Sequence, residues 1–409
     1  MASSSWRWTW LGALSLFILA AATGSLLRFG LLSGFPWGLQ YTNVRHAHSH
    51  LMYFGWVTPA LMGMIVAWLP TLTERPLSPT HHRRFRATII LTLLLALAAY
   101  FPFLLYGYRL AQIGDARLPL STIMASANML AWYAFALTYW QATKGAARVK
   151  PLRLWDAALI FLVLASLGAW GVAVSAALNL RDPLLAAALT RIFLDLFAEG
   201  WFVLGVLGLA YAANPAAIGH RWAAPSETLL IMGLPVIFLL GIPVTMLPAP
   251  VRLIGSLGGL LVGLGLLGHL AALWQKAEAR WRPALFFLAL KAIATLAVTV
   301  PTIALWSDRA LLRVSYLHWL LLGFITLGLV VAAQAMWGRE FVRGVWVLTA
   351  VATLLILSLI PLTGIWPTAW QGRWTREFAA WASLGPTIIA GGMLLWSGWK
   401  RKRELETGD

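Results

Sequence analysis

The sequence predicts an all-α, polytopic membrane bundle of about twelve transmembrane helices, forming one integral membrane domain over residues 1–409. Three observations predict it. Hydrophobic residues make up 60% of the chain and charged residues 11%, with a mean hydropathy of +0.77, a balance foreign to soluble domains of this size. Apolar runs of about 20 residues, the length that crosses hydrocarbon, recur from end to end. Lys and Arg cluster in the short loops between those runs, which marks the +17 formal charge as topogenic and excludes a nucleic-acid partner.

The runs fall near residues 11–32, 48–70, 87–107, 120–141, 155–178 and 184–212, then near 228–248, 251–274, 283–306, 312–337, 342–364 and 380–399. The opening "MASSSWRWTW" leads into the first run without a small-residue cleavage site, so it reads as a retained helix. Only "PAPVR" divides the seventh and eighth runs. Positive charge alternates. Arg75, Arg83, Arg84 and Arg86 follow the second run, and Lys144, Arg148, Lys150 and Arg153 follow the fourth. Lys276, Arg280 and Arg282 follow the eighth, Arg339 and Arg343 the tenth, and Lys400–Arg403 close the chain. The opposite loops carry single arginines and pairs such as Arg109/Arg117 and Arg373/Arg376. The bias predicts a multi-pass protein of the cell inner (plasma) membrane with both termini cytoplasmic.

The chain has no cysteine, which excludes disulfides, iron–sulfur clusters and CxxCH haem attachment. Any cofactor ligand must be His, Met, Tyr or a carboxylate.

"VRHAHSHLMYFGWVTPALMG", residues 44–63, places His46, His48 and His50 at the outer mouth of the second run. Successive helical residues turn by about 100°, so His46 and His50 share one face and His48 points to the other. Met52 and Gly55 fall on the His48 side, where the glycine is expected to leave a flat recess suited to a porphyrin. His50 stacks above Phe54 and Val57, and Pro59 is expected to kink the helix. In the tenth run, "RVSYLHWLLLGFITLG" puts His318 within about two turns of the same outer face. A lone interfacial histidine is ordinarily a hydrated side chain. Three within five residues, matched in depth by His318, point to bis-imidazole ligation of a haem iron between two helices.

These residues resemble the catalytic subunit of the haem–copper oxidase superfamily, above all its nitric oxide reductase and C-type oxidase branches. Arg45-His46-Ala47-His48-Ser49-His50-Leu51 is similar to that family's Arg-x-x-His-x-Asn-Leu on the second helix. The resemblance implies His48 as ligand to a low-spin haem b, with His50 in the asparagine's place. Tyr316-Leu317-His318-Trp319-Leu320-Leu321-Leu322-Gly323 is similar to the tenth-helix His-x-His-Leu-x-x-x-Gly run and implies His318 as the second axial ligand. "RIFLDLFAEGWF", residues 191–202, resembles the His-Leu-Trp-Val-Glu-Gly-x-Trp motif of the sixth helix. Glu199-Gly200 fit it, and Asp195 stands where the family has a metal-binding histidine. Tyr316 occupies the place of the high-spin haem's ligand, and residues 228–247 contain no histidine although the family takes two metal ligands there. One low-spin haem b is therefore what the resemblance implies, with the oxygen- or nitric-oxide-reducing centre lost.

Arg28 and Arg45 are candidate partners for haem propionates. Arg191, Asp195 and Glu199, spaced i, i+4 and i+8, form a polar stripe on the sixth span. It reads either as an intrahelical ion pair facing other helices or, with Tyr316, as a remnant metal site or polar path. Lys291 is expected to snorkel to the near interface. His269 reads as structural, and His81, His82 and His220 as solvated. Many of the 24 tryptophans fall near span ends, as in an interfacial belt.

The functional expectation is a b-type haem protein that carries electrons in the bilayer. Its expected partners are other respiratory or denitrification subunits, or a small electron-carrier protein. The oxidoreductase-like fold leaves enzymatic turnover open, because the copper and high-spin haem ligands are missing. The alternatives are a haem-free transporter or channel that uses the Arg191–Asp195–Glu199 stripe and Lys291, and a structural subunit of a membrane complex.

Overall fold

The computed structural model describes residues 4–407. Its long helices are α1 (Arg7–Ser33), α2 (Tyr41–Thr73), α3 (Pro79–Tyr106), α4 (Leu120–Ala142), α5 (Lys150–Ala177) and α6 (Pro183–Ala213). They continue as α7 (Ala223–Gly241), α8 (Ala249–Lys276), α9 (Arg282–Ala297), α10 (Arg313–Trp337), α11 (Val345–Leu362) and α12 (Arg373–Thr407). Between α3 and α4 a short antiparallel hairpin pairs β1 (Ala111–Ile113) with β2 (Ala116–Leu118). Among the described residues, eleven helices are long and apolar enough to cross a membrane, and twelve if one bent pair is a single span. The chain is a helical, multi-pass membrane protein.

Local chemistry sets the helix starts. Ser78 accepts from the His81 backbone N–H, and Pro79 begins α3 with its φ already helical. Asp182 accepts from the Leu184 and Leu185 N–H groups ahead of α6, where Pro183 plays the same part. The bent pair corrects the expectation of a continuous ninth span over 283–306. Its two pieces, Ala279–Ala297 and Pro301–Arg309, meet at 115°. Pro301 has no N–H to donate, and it holds Val300 extended (φ −85°, ψ 116°), so the helix cannot run through.

Every fourth helix has a π-helical segment: Leu51–Val57 in α2, Leu196–Val203 in α6 and Trp319–Thr326 in α10. In α2 it ends with the Thr58 N–H donating to the Tyr53 carbonyl, five residues back, just before Pro59. The irregularity expected from Pro59 thus takes the form of a wide turn within one continuous span. Each segment contains a glycine followed by an aromatic residue: Gly55-Trp56, Gly200-Trp201 and Gly323-Phe324. Each glycine abuts a side chain of the preceding helix, respectively Leu16, Phe161 and Phe287. The same three helices are the most buried, at 94%, 78% and 83% of their apolar windows, against 39–44% for the others, so they form the inner helices.

The described chain divides into two compact units. Unit 1 holds the residues up to Ala146 together with Leu329–Leu362 and the chain from Trp366 onward. In it α1 packs on α2 and α12. Trp56 stacks on Phe17 at 4.7 Å and meets Trp10 edge-on at 5.4 Å, and the Ser25 hydroxyl donates to the Ser383 carbonyl at 2.8 Å. Asn43 of α2 donates to the Leu105 carbonyl of α3 at 2.9 Å.

Unit 2 holds Ala147–Gly328 and Thr363–Ile365. The Trp155 indole of α5 lies over Gly208 and donates to the Gly205 carbonyl of α6 at 3.1 Å. One end of the unit is tied by ions: Lys150 Nζ lies 2.8 Å from Glu227 Oε2, and Arg153 Nε lies 2.7 Å from Oε1. Nearby, the Tyr211 hydroxyl meets His269 Nδ1 at 2.8 Å, which gives His269 a buried partner between α6 and α8. Glycines let α8 pack closely on both sides. Gly258 and Gly265 face α7, Gly259 meets Leu240 of α7 and Thr299 just past α9, and Gly263 faces Leu296 of α9. In lipid, where apolar contact with a neighbouring helix competes with equally apolar acyl chains, such close approach is what holds helices together.

A methyl group at Gly258 would meet Val236 and lie 3.1 Å from the Gly233 carbonyl. Gly258→Leu should push α7 and α8 apart and lower stability by about 1–3 kcal/mol. Thermal unfolding in detergent measures this directly, and an unchanged melting temperature would mean the interface is looser than described.

Candidate functional site

The histidines of α2 divide by face, as helical geometry requires. His46 and His50 turn toward α3. The His50 ring stacks on Phe103 at 3.8 Å between centroids and meets Phe54 edge-on at 5.2 Å. Its Nδ1 lies 3.0 Å from the His46 carbonyl, and its Nε2 lies 3.3 Å from the Tyr108 hydroxyl. A carbonyl only accepts, so Nδ1 carries the proton, and in the neutral ring Nε2 accepts from Tyr108. Both nitrogens of His50 are engaged. The His46 ring packs edge-on to Tyr108 at 4.7 Å.

His48 turns instead to α1. Its Nδ1 lies 2.8 Å from the Ala20 carbonyl, and a Cβ on Gly24 would fall 2.9 Å from its Cε1. The same argument places the proton on Nδ1 and leaves Nε2 as the basic nitrogen of the neutral ring. The absent side chain of Gly24 makes room for the imidazole. Arg28, one turn further along α1, is near enough to act on His48 electrostatically. Arg45 is exposed, with its guanidinium carbon 5.8 Å from the centre of the Tyr41 ring.

The recess expected beside Gly55 is corrected by the structure. Leu16 of α1 and Leu51 fill that space, and a Cβ there would lie 2.7 Å from Leu51 Cδ1 and 3.0 Å from Leu16 Cδ1. Counting seven residues on from His48 assumed a regular α-helix, but the π segment changes the register from Leu51 onward. The glycine that accommodates His48 comes from another helix.

His318 belongs to unit 2 and His48 to unit 1. On α10, His318 Nδ1 lies 2.7 Å from the Val314 carbonyl one turn back, again a proton held on Nδ1. The half-buried ring sits immediately before the π segment that begins at Trp319.

Within unit 2 the remaining candidates converge. Glu199, on the π segment of α6, accepts from the Tyr316 hydroxyl through Oε1 at 2.6 Å. Its Oε2 lies 2.6 Å from Lys291 Nζ, and Lys291 also donates to Thr295 Oγ1 at 3.1 Å. Lys291 is wholly buried, so the expectation that it snorkels to the interface is overturned: its ammonium turns inward to Glu199. Towards the start of α6, Arg191 Nη1 and Asp195 Oδ1 are 3.7 Å apart, the intrahelical pair expected from their spacing. Gly241 leaves room for both side chains, and its carbonyl accepts from Arg313 at 3.0 Å. Among the described residues no group of three or more His, Asp or Glu side chains is arranged to hold a metal ion.

Sequence reading missed Gly24, Tyr108, Thr295 and Arg313, and misread Lys291. One signal was available for Lys291: a lysine deep in an apolar span implies a buried anion on another span, and Glu199 is the acid at comparable depth. Compared with known proteins, the chain matches no family model, and no curated protein is significantly similar to it.

Removing one partner of a buried ion pair leaves a charge in low dielectric, at a cost of about 3–5 kcal/mol. Glu199→Gln should therefore destabilise strongly, and Glu199→Gln combined with Lys291→Met should recover most of the loss. A double-mutant cycle of unfolding in detergent reads the coupling. Additive losses would show that the two side chains do not depend on each other.

Proposed function

We propose that the chain is a divergent relative of the haem–copper oxidase catalytic subunits that binds one low-spin haem b and carries electrons within the bilayer. One observation carries the reading. In both His48 and His318 a backbone carbonyl fixes the proton on Nδ1, the arrangement by which proteins orient an imidazole for metal ligation through Nε2. His50 commits both nitrogens to His46 and Tyr108, so of the two neighbouring histidines His48 is the ligand in this reading.

The residues present support the reading: the chain has no thiolate, two imidazoles hold their proton on Nδ1, and Arg28 lies near His48 with the charge and planar geometry to pair with a propionate. A bis-imidazole haem passes one electron at a time and keeps no open position for substrate. Within each unit the chain's own residues orient the ring, Ala20 and Gly24 for His48 and Val314 for His318, and Arg28 would supply the compensating guanidinium. Asp195, which stands where the family has a metal-binding histidine, is paired with Arg191, and Lys291 and Tyr316 engage Glu199 one turn on, which favours electron transfer over substrate reduction. In this reading the protein lies in the plasma membrane with both termini cytoplasmic. It exchanges electrons with a respiratory or denitrification subunit or a small carrier protein.

The test is optical. Protein purified from haem-replete cells should show a Soret band and, on reduction, resolved α and β bands, with about one haem per chain by pyridine haemochrome assay. His48→Ala and His318→Ala should each abolish the spectrum, while His46→Ala and His50→Ala should retain it. Gly24→Leu should weaken haem retention by displacing the His48 ring. A colourless preparation would end the haem reading and favour the transporter alternative, whose support is the burial of Lys291 and Glu199 within the spans.

A further inference from the structure

We propose that unit 1 carries a binding site for an anionic phospholipid with a hydroxylated headgroup, of the phosphatidylglycerol type, at the membrane face bearing the Arg75–Arg86 segment. The proposal is independent of the haem reading. A cavity of about 660 Å³ opens where the N-terminal turn, the end of α2 and the start of α3 meet. Trp6, Pro70, Pro76 and Leu77 give it apolar walls, and Arg75 and His82 line it as well. The His82 ring lies 4.8 Å from that of Trp6, so the imidazole is packed into the wall.

Three features select the ligand. First, charge: residues 74–86 hold four arginines (75, 83, 84 and 86) against one acid, Glu74. A basic surface at this level of a bilayer attracts anionic headgroups, and guanidinium is the group best matched to phosphate. Second, the walls: a cavity this large and this apolar suits the glycerol and upper acyl region of a lipid and exceeds what a free phosphate needs. Third, Glu74 itself. It lines the cavity and caps α2 in the left-handed conformation, with φ 54°, without being glycine. A residue other than glycine keeps such a backbone only where the surroundings require it. A carboxylate beside the phosphate-binding arginine repels a bare phosphate but accepts hydrogen bonds from headgroup hydroxyls, which favours a polyol headgroup.

The test uses the full chain extracted in mild detergent from membranes containing phosphatidylglycerol, phosphatidic acid and phosphatidylcholine, with bound lipid counted by native mass spectrometry and lipid extraction. Wild-type protein should retain phosphatidylglycerol preferentially. Arg75→Gln should lower its retention about fivefold. Leu77→Trp, which fills the cavity and leaves every charge in place, should do the same without shifting the melting temperature. Arg84→Gln should lower retention less than Arg75→Gln, because Arg84 adds to the basic surface but donates to Gln141 and does not line the cavity. Glu74→Gln should erase the preference for phosphatidylglycerol over phosphatidic acid. Equal retention of phosphatidylcholine, or unchanged retention in Leu77→Trp, would overturn the proposal. Displacement of the lipid by millimolar inorganic phosphate would overturn it as well, by showing that the site takes the free anion.

Discussion

Hydrocarbon offers no hydrogen bonds, so a polar atom within the span of this protein needs its partner inside the chain. The helices satisfy that requirement for the backbone, and several buried side chains meet it through specific partners. His48 and His318 each hand a ring proton to a carbonyl, Tyr211 meets His269, and Lys291 and Tyr316 share the two oxygens of Glu199. None of these contacts would contribute much in water. In low dielectric the cost of leaving any of them unmade is what keeps the side chains in place.

The second organising feature is close packing at glycine. The π segments of α2, α6 and α10 each set a glycine against the preceding helix, and α8 uses glycines on two faces. Wide turns of this kind loosen the i→i−4 ladder and recur at functional sites. Here they directly follow His50, Asp195 and His318, so the polar residues of the three inner helices stand at the junction of regular and widened helix.

The two units divide the chemistry. Unit 1 holds an imidazole oriented by α1, with a cationic neighbour, and a lipid-sized cavity at its basic end. Unit 2 holds the second imidazole and a closed set of charges around Glu199. In the electron-transfer reading the closed set keeps the bundle together and the imidazoles hold the redox group, so stability and electron carriage draw on different residues.

Hydropathy was enough to read the helical membrane class and roughly how many apolar helices the chain has, because crossing hydrocarbon demands a run of fixed length that no other constraint imitates. The opposite faces of His48 and His50 and the Arg191–Asp195 pair were also legible, since both depend only on regular helical rotation over a few residues. Tertiary structure decided the rest. The break at Pro301, the π-shifted register past Leu51, the filling of the Gly55 recess by Leu16 and the inward turn of Lys291 each depend on which helix lies alongside. Periodicity along one helix determines which face a side chain occupies, but the neighbour that meets that face is chosen by packing between segments far apart in the chain.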